Sequence, residues 1–144
     1  MRHKPLLKVM MTPFPYSIGQ DAPVAEALEL MEEHAVHHLP VTEGHALVGV
    51  ITEHDIRNRQ VSDPQPAGAD GPSVSDMYIH DAYIVDINEP LDNVLLEMAR
   101  RHIGSVIVTR KGNLAGVFTS TDACRGFGKF LQERYPHDDG NDAA

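Results

Sequence analysis

Gly49-Val50-Ile51-Thr52-Glu53-His54-Asp55 returns as Gly116-Val117-Phe118-Thr119-Ser120-Thr121-Asp122, with Asp55 and Asp122 standing 67 residues apart. The same ungapped shift pairs Met10 with Met77, Tyr16 with Tyr83, Pro23 with Pro90, Leu28 with Leu95 and Met31 with Met98. It also pairs Val41-Thr42 with Val108-Thr109, and Leu47 with Leu114. A fixed period with matched punctuation is one supersecondary unit used twice. Two units are too few for a solenoid, so the expectation is a closed pair in which each repeat covers the other's apolar face.

Outward from that stretch, Leu47 to Ile51 reads as a strand, and Leu39-Pro40-Val41-Thr42 as its hairpin partner across Glu43-Gly44-His45. Pro40 places that partner at a sheet edge or at a strand start, where a missing N–H does no harm. Upstream, Val24, Ala27, Leu28 and Met31 recur at helical spacing behind Pro23 and predict an amphipathic helix ending near Ala35. Tyr16 to Ile18 is a very short strand, and Leu6 to Met11 an apolar lead-in ahead of the extended Thr12-Pro13-Phe14-Pro15. Thr52 opens a helix carrying Asp55, Ile56, Arg57 and Arg59. The second copy repeats the plan: a strand at Tyr83 to Val85, a helix striped with Leu91, Val94, Leu95 and Met98, and a hairpin from Ser105 to Phe118. Its closing helix starts near Ser120 and is expected to weaken at Gly126 and Gly128.

The organisation predicted is α/β: a first repeat with its lead-in over 1–59, a connector over 60–73 rich in Pro, Gly and Asp, a second repeat over 74–135 and a loose tail over 136–144. With 12 Lys and Arg against 21 Asp and Glu, the formal net charge is −9, which argues against nucleic acid or an anionic membrane as partner. A compact anion such as a nucleotide phosphate is still admissible, because a helix N-terminus and one or two cations suffice for it. One cysteine, Cys124, gives no disulfide framework, and no apolar run is long enough to span a bilayer. The basic N-terminus has no apolar signal core behind it, and the expected location is cytoplasmic.

Each unit, with Met near its start, a helix ending in Met, a Leu-Pro-Val strand and a closing Gly-Val-x-Thr-x-x-Asp, resembles a CBS domain, and the whole resembles a stand-alone tandem CBS pair, or Bateman module. The resemblance implies β-α-β-β-α repeats packed about a pseudo-two-fold axis. It implies a homodimer that regulates a separate protein partner and does not catalyse. It further implies two clefts that take adenosine-containing ligands, AMP, ADP or ATP first and S-adenosylmethionine or NAD as alternatives, with no obligatory cofactor.

The residues are compatible with that. Thr52 and Thr119 stand where a strand gives way to a helix, a place that favours phosphate. Asp55 and Asp122, three residues on, can accept both hydrogens of a ribose diol. The same Thr-x-x-Asp is also close to a capping box, in which both side chains satisfy the helix's own N–H groups. A residue that caps the empty protein can still bind a ligand, so both readings stand.

Carried over by position, the resemblance lines one pocket with Val50, Thr52, His54 and Asp55, facing Ala82, Tyr83, Ile103 and Gly104. The other takes Val117, Thr119, Thr121 and Asp122, facing Thr12, Pro15, Tyr16, Val36 and His37. The second pocket is the better preserved, because His37-His38-Leu39-Pro40 and Met10-Met11-Thr12-Pro13 keep patterns that become Gly104-Ser105-Val106-Ile107 and Met77-Tyr78-Ile79-His80 in the other copy. Lys8, Arg57, Arg100 and Arg101 are the candidate phosphate partners. Two further readings are a zinc site of His34, His37, His38 and His45, which no cysteine or carboxylate completes, and a module that only dimerises or docks. Cys124 lacks the setting of a nucleophile, and no P-loop or elbow motif announces an enzyme.

Overall fold

The computed structural model describes residues 5–13, 16–62 and 71–138. Phe14 and Pro15, most of the predicted connector and the far end of the predicted tail lie outside the described residues. In chain order the elements are α1 (Leu7–Met10), β1 (Thr12–Pro13), β2 (Ile18–Gly19), α2 (Val24–His34), β3 (His38–Glu43), β4 (Ala46–Thr52) and α3 (Glu53–Ser62). After a single 3₁₀ turn at Val74–Asp76 come β5 (Ile84–Asp86), α4 (Leu91–Arg101), β6 (Ser105–Arg110), β7 (Asn113–Thr119) and α5 (Ser120–Arg134).

The two α/β repeats match in detail. α2 buries Val24, Ala27 and Met31, and α4 buries Leu91, Val94 and Met98, so the predicted stripes face their sheets. Each of the Val, Leu and Met side chains among them stabilises by about 1.5–3 kcal/mol on leaving water. Both helices end on a left-handed residue, Ala35 and His102, after which the Val36 and Ile103 N–H groups donate back to Met31 and Met98 carbonyls at 2.9 and 3.1 Å. Each hairpin carries a register shift at the same place, Val41/Thr42 and Val108/Thr109. There the hydroxyls of Thr42 and Thr109 donate to the carbonyls of Ile18 and Val85.

Pro40 does not sit at an edge. β3 lies between β2 and β4, with Leu39, Pro40 and Val41 all buried. Proline is accommodated because β2 pairs with β3 only at Val41 and Thr42. The short strands begin after Tyr16 and Tyr83 rather than at them; Tyr16 is stacked on His34 at 3.9 Å between ring centroids. α5 runs unbroken through Gly126 and Gly128, and the flexible end of Met10 in α1 lies where a Cβ on Gly126 would stand.

Chain order and spatial grouping diverge. One compact unit holds the described residues up to Pro13 together with those from Val85 onward, and the other holds those between. In the first unit the sheet order is β1-β7-β6-β5, with Thr12 opposite Val117 and Pro13 opposite Gly116. In the second the sheet is β2-β3-β4, and Val50 bridges Ile79 through N–H···O bonds of 3.2 and 2.7 Å. Each lead-in thus lies along the last strand of the other repeat. A glycine at the crossing makes room: a Cβ on Gly49 would collide with the Ile79 carbonyl and Tyr78, and one on Gly116 with the Thr12 carbonyl and Met11.

Candidate functional site

The best-formed polar site is the corner where β7 becomes α5. Asp122 is buried, at 4% exposure, the one buried charged side chain among the described residues. Its N–H donates to Thr119 Oγ1 at 3.2 Å and its Oδ2 accepts the Thr119 N–H at 3.0 Å, a full capping box. Its Oδ1 accepts the Thr12 hydroxyl and an Arg125 Nη1–H, each at 3.0 Å. Beside it opens a cavity of about 710 Å³ between α1 and α5, lined by Thr12, Asp122, Arg125, Lys129 and Glu133 over an apolar floor that includes Leu6 and Phe130. A carboxylate, a hydroxyl and an arginine near a helix N-terminus, with Lys129 further along the same cavity, are suited to a sugar-phosphate.

The matching corner at the β4–α3 junction is built differently. The Asp55 N–H donates to Thr52 Oγ1 at 3.1 Å, so the hydroxyl caps α3. The half-buried Asp55 carboxylate has no hydrogen-bond partner among the described residues. Nearby, Glu53 accepts from His37 Nδ1 at 2.6 Å and from Arg57 Nε at 2.8 Å, and His54 Nε2 meets Asn58 Nδ2 at 3.0 Å. The His37 hydrogen bond first, and Arg57 second, hold the Glu53 carboxyl below its usual value of 4.5. A depressed acid stabilises above its unfolded pKa and loses that contribution as pH falls through the folded one. His37→Ala should therefore move the Glu53 carboxyl titration upward by NMR; an unmoved midpoint would show that the pair is not populated in solution.

Of the residues carried over by position, Thr12, Val117, Thr119, Thr121, Asp122, Ile103 and Gly104 fall in one unit. Tyr16, Val36, His37, Val50, Thr52, His54, Asp55, Ala82 and Tyr83 fall in the other. Pro15 lies outside the described residues. Thr12, Thr119 and Asp122 are brought into contact, and so are Thr52 and Asp55; Thr121 is exposed and Val117 is buried in β7. Gly104 contributes through its backbone, its carbonyl accepting the Ser120 N–H, as that of His37 accepts the Glu53 N–H.

The predicted phosphate cations are engaged elsewhere: Arg57 with Glu53, Arg100 and Arg101 with Glu97, while Lys8 lines a different cavity. Arg125, paired with Asp122, stands at the corner instead, and Lys129 lines the adjoining cavity, three and seven residues after Asp122 on one face of α5. That spacing was the signal available in the sequence. The four histidines are not gathered at one point. His38 and His45 stand at opposite ends of the β3–β4 hairpin, on the order of 15 Å apart at the strand rise of about 3.3 Å per residue. No group of three His, Cys, Asp or Glu among the described residues is placed to share an ion. No helix among them is long and apolar enough to cross a membrane.

Two α/β repeats, each closed by a threonine–aspartate helix corner, define a tandem-repeat module. The sequence matches the CBS domain over residues 7–62 and again over 74–128, and the chain belongs to that family. It is similar to L-aspartate semialdehyde sulfurtransferase of Methanocaldococcus jannaschii, 26% identical over 125 residues that make up 85% of this chain and 23% of that protein. The crystal structure of the CBS domain pair of protein MJ0100, in complex with 5′-methylthioadenosine and S-adenosyl-L-methionine, superposes with a TM-score of 0.74 at 25% identity, covering 86% of this chain and 100% of that one. A conserved protein of Pyrococcus horikoshii superposes with a TM-score of 0.71 at 28% identity, covering 88% of this chain and 95% of that one.

Proposed function

We propose that this chain is a regulatory, non-catalytic module that binds an adenosine-containing ligand at its threonine–aspartate corners, AMP, ADP or ATP in the first instance and S-adenosylmethionine or its thioether relatives in the second. The observation that carries the reading is the half-buried Asp55 carboxylate, which has no hydrogen-bond partner among the described residues and stands beside a hydroxyl that already caps the helix. An acceptor so placed suits the vicinal hydroxyls of a ribose. The second reading is favoured by the ligands in the MJ0100 pair, an adenosyl thioether and an adenosyl sulfonium.

At the other corner the ligand faces competition. A ribose reaching Asp122 must displace the Thr12 hydroxyl and rival the Thr119 N–H. Binding there is linked to release of the lead-in, and a ligand shifts such an equilibrium only by its difference in affinity for the two arrangements. A homodimer and a separate regulated protein, in the cytoplasm, complete the proposal. Phe127 and Tyr135, 61% and 68% exposed on or just beyond α5, offer apolar surface for such an association.

The test is thermal unfolding of the whole chain with AMP, ADP, ATP, NAD, S-adenosylmethionine and 5′-methylthioadenosine in turn. A ligand at about 100 times its Kd should add about 2.7 kcal/mol to stability. Nucleotide binding should weaken steeply with salt, and thioether binding should not, because 5′-methylthioadenosine carries no phosphate. A midpoint unmoved by all six would overturn the proposal.

A further inference from the structure

Among the described cations, Arg57, Arg100, Arg101 and Arg125 are held by carboxylates. Lys8, Arg110 and Lys111 have no acidic partner among the described residues, although acids outnumber bases in the chain. All three converge on one open cavity of about 700 Å³, floored by Met11, Ile87 and Leu114, with no carboxylate in its lining. That volume is within the range of small-molecule sites, about 300–1,000 Å³.

The backbone adds a second, independent observation. Lys111 and Gly112 occupy the turn between β6 and β7 with φ of 51° and 80°, both left-handed. Glycine, Asn or Asp fills such places at least cost, and an ordinary L-residue is strained there. The sister turn of the first repeat has Gly44, at φ 63°, where the second has Lys111. At the same 67-residue shift Glu43 answers to Arg110 and Ser75 to Lys8, and Glu43, Gly44 and Ser75 all fall in the inner unit while Arg110, Lys111 and Lys8 fall in the other. The strained lysine and the positive rim therefore occur together in one unit and are both absent from the matching positions of the other. Strain held at one place in this way is a pointer to function.

We infer that this cavity is a second ligand site, distinct from the Asp122 corner, for a small organic phosphate monoester. The apolar body rests on Met11, Ile87 and Leu114, and the phosphate dianion is held by Lys8, Arg110 and Lys111. Charge-assisted hydrogen bonds from three cations suit a doubly charged group, and the apolar floor suits an organic ester better than a bare ion. This site does not depend on the adenosine reading, because neither Asp55 nor Asp122 lines it.

The test is an NMR titration of the whole chain with phenyl phosphate, with inorganic phosphate in a parallel arm. The expected result is saturable movement of the Lys8, Lys111, Gly112 and Asn113 amides, weakened about tenfold or more in Lys8→Gln/Arg110→Gln/Lys111→Gly and unchanged in Arg134→Gln. Lys111→Gly alone should bind more weakly while its thermal midpoint holds or rises, a pairing that loss of fold cannot produce. Inorganic phosphate binding as tightly as the ester, or full affinity in the triple variant, would overturn the inference.

Discussion

Replacing Gly116 with alanine is expected to lower the stability of the chain by about 2–3 kcal/mol, read as a fall in the urea midpoint at unchanged slope. The new methyl group would stand 3.0 Å from Pro13 Cα and 2.6 Å from the end of Met11, and closer still to the Thr12 carbonyl. Two of those neighbours are backbone, so no side-chain rotation relieves the clash; β1 itself must move away from β7. The move also takes the Thr12 hydroxyl from Asp122. Gly49→Ala should cost about as much, since its methyl meets the Ile79 carbonyl. Gly126→Ala is the control. There the obstacle is the flexible end of Met10, and alanine gains about 1 kcal/mol of helix propensity. Equal losses in all three variants would refute the close-approach explanation.

Asp122→Ala should destabilise by about 2–3 kcal/mol, against under about 1 kcal/mol for Asp55→Ala, in matched chemical denaturation. The first removes a buried carboxylate that satisfies the Thr119 N–H and the Thr12 hydroxyl, and leaves both without it. The contribution of Arg125, which is 56% exposed, is small. The second leaves the Thr52 cap in place, because that bond uses the Asp55 backbone. Asp55 is thus the cleaner test of ligand binding, since its loss should weaken the adenosine ligand while the fold persists. Equal stabilities of the two variants would refute the difference between the corners.

Helices and hairpins were legible because two copies of each signal agreed: the stripes on α2 and α4 and the paired strands of both sheets fall where apolar spacing put them. The corners were legible as Thr-x-x-Asp, but not which use each serves, because capping and ligand binding call for the same residue types at the same spacing. The crossed lead-ins were not legible. Thr12 and Pro13 form a strand two residues long, and nothing local selects β7 as its partner. The shared register shift likewise leaves no mark beyond a threonine. The arginines were a different matter. Glu53–Arg57 and Glu97–Arg101 stand at i and i+4, a spacing that already foretold their neutralisation.

The crossing of the lead-ins also sets an order of events during synthesis. Thr12 leaves the ribosome 110 residues ahead of its partner Asp122, so this stretch of the nascent chain stays unclaimed until β7 and the start of α5 have emerged. The inner unit, whose residues are continuous in the chain, can close first. A fusion or tag placed ahead of Leu7 would therefore bear on the unit that closes after the inner one.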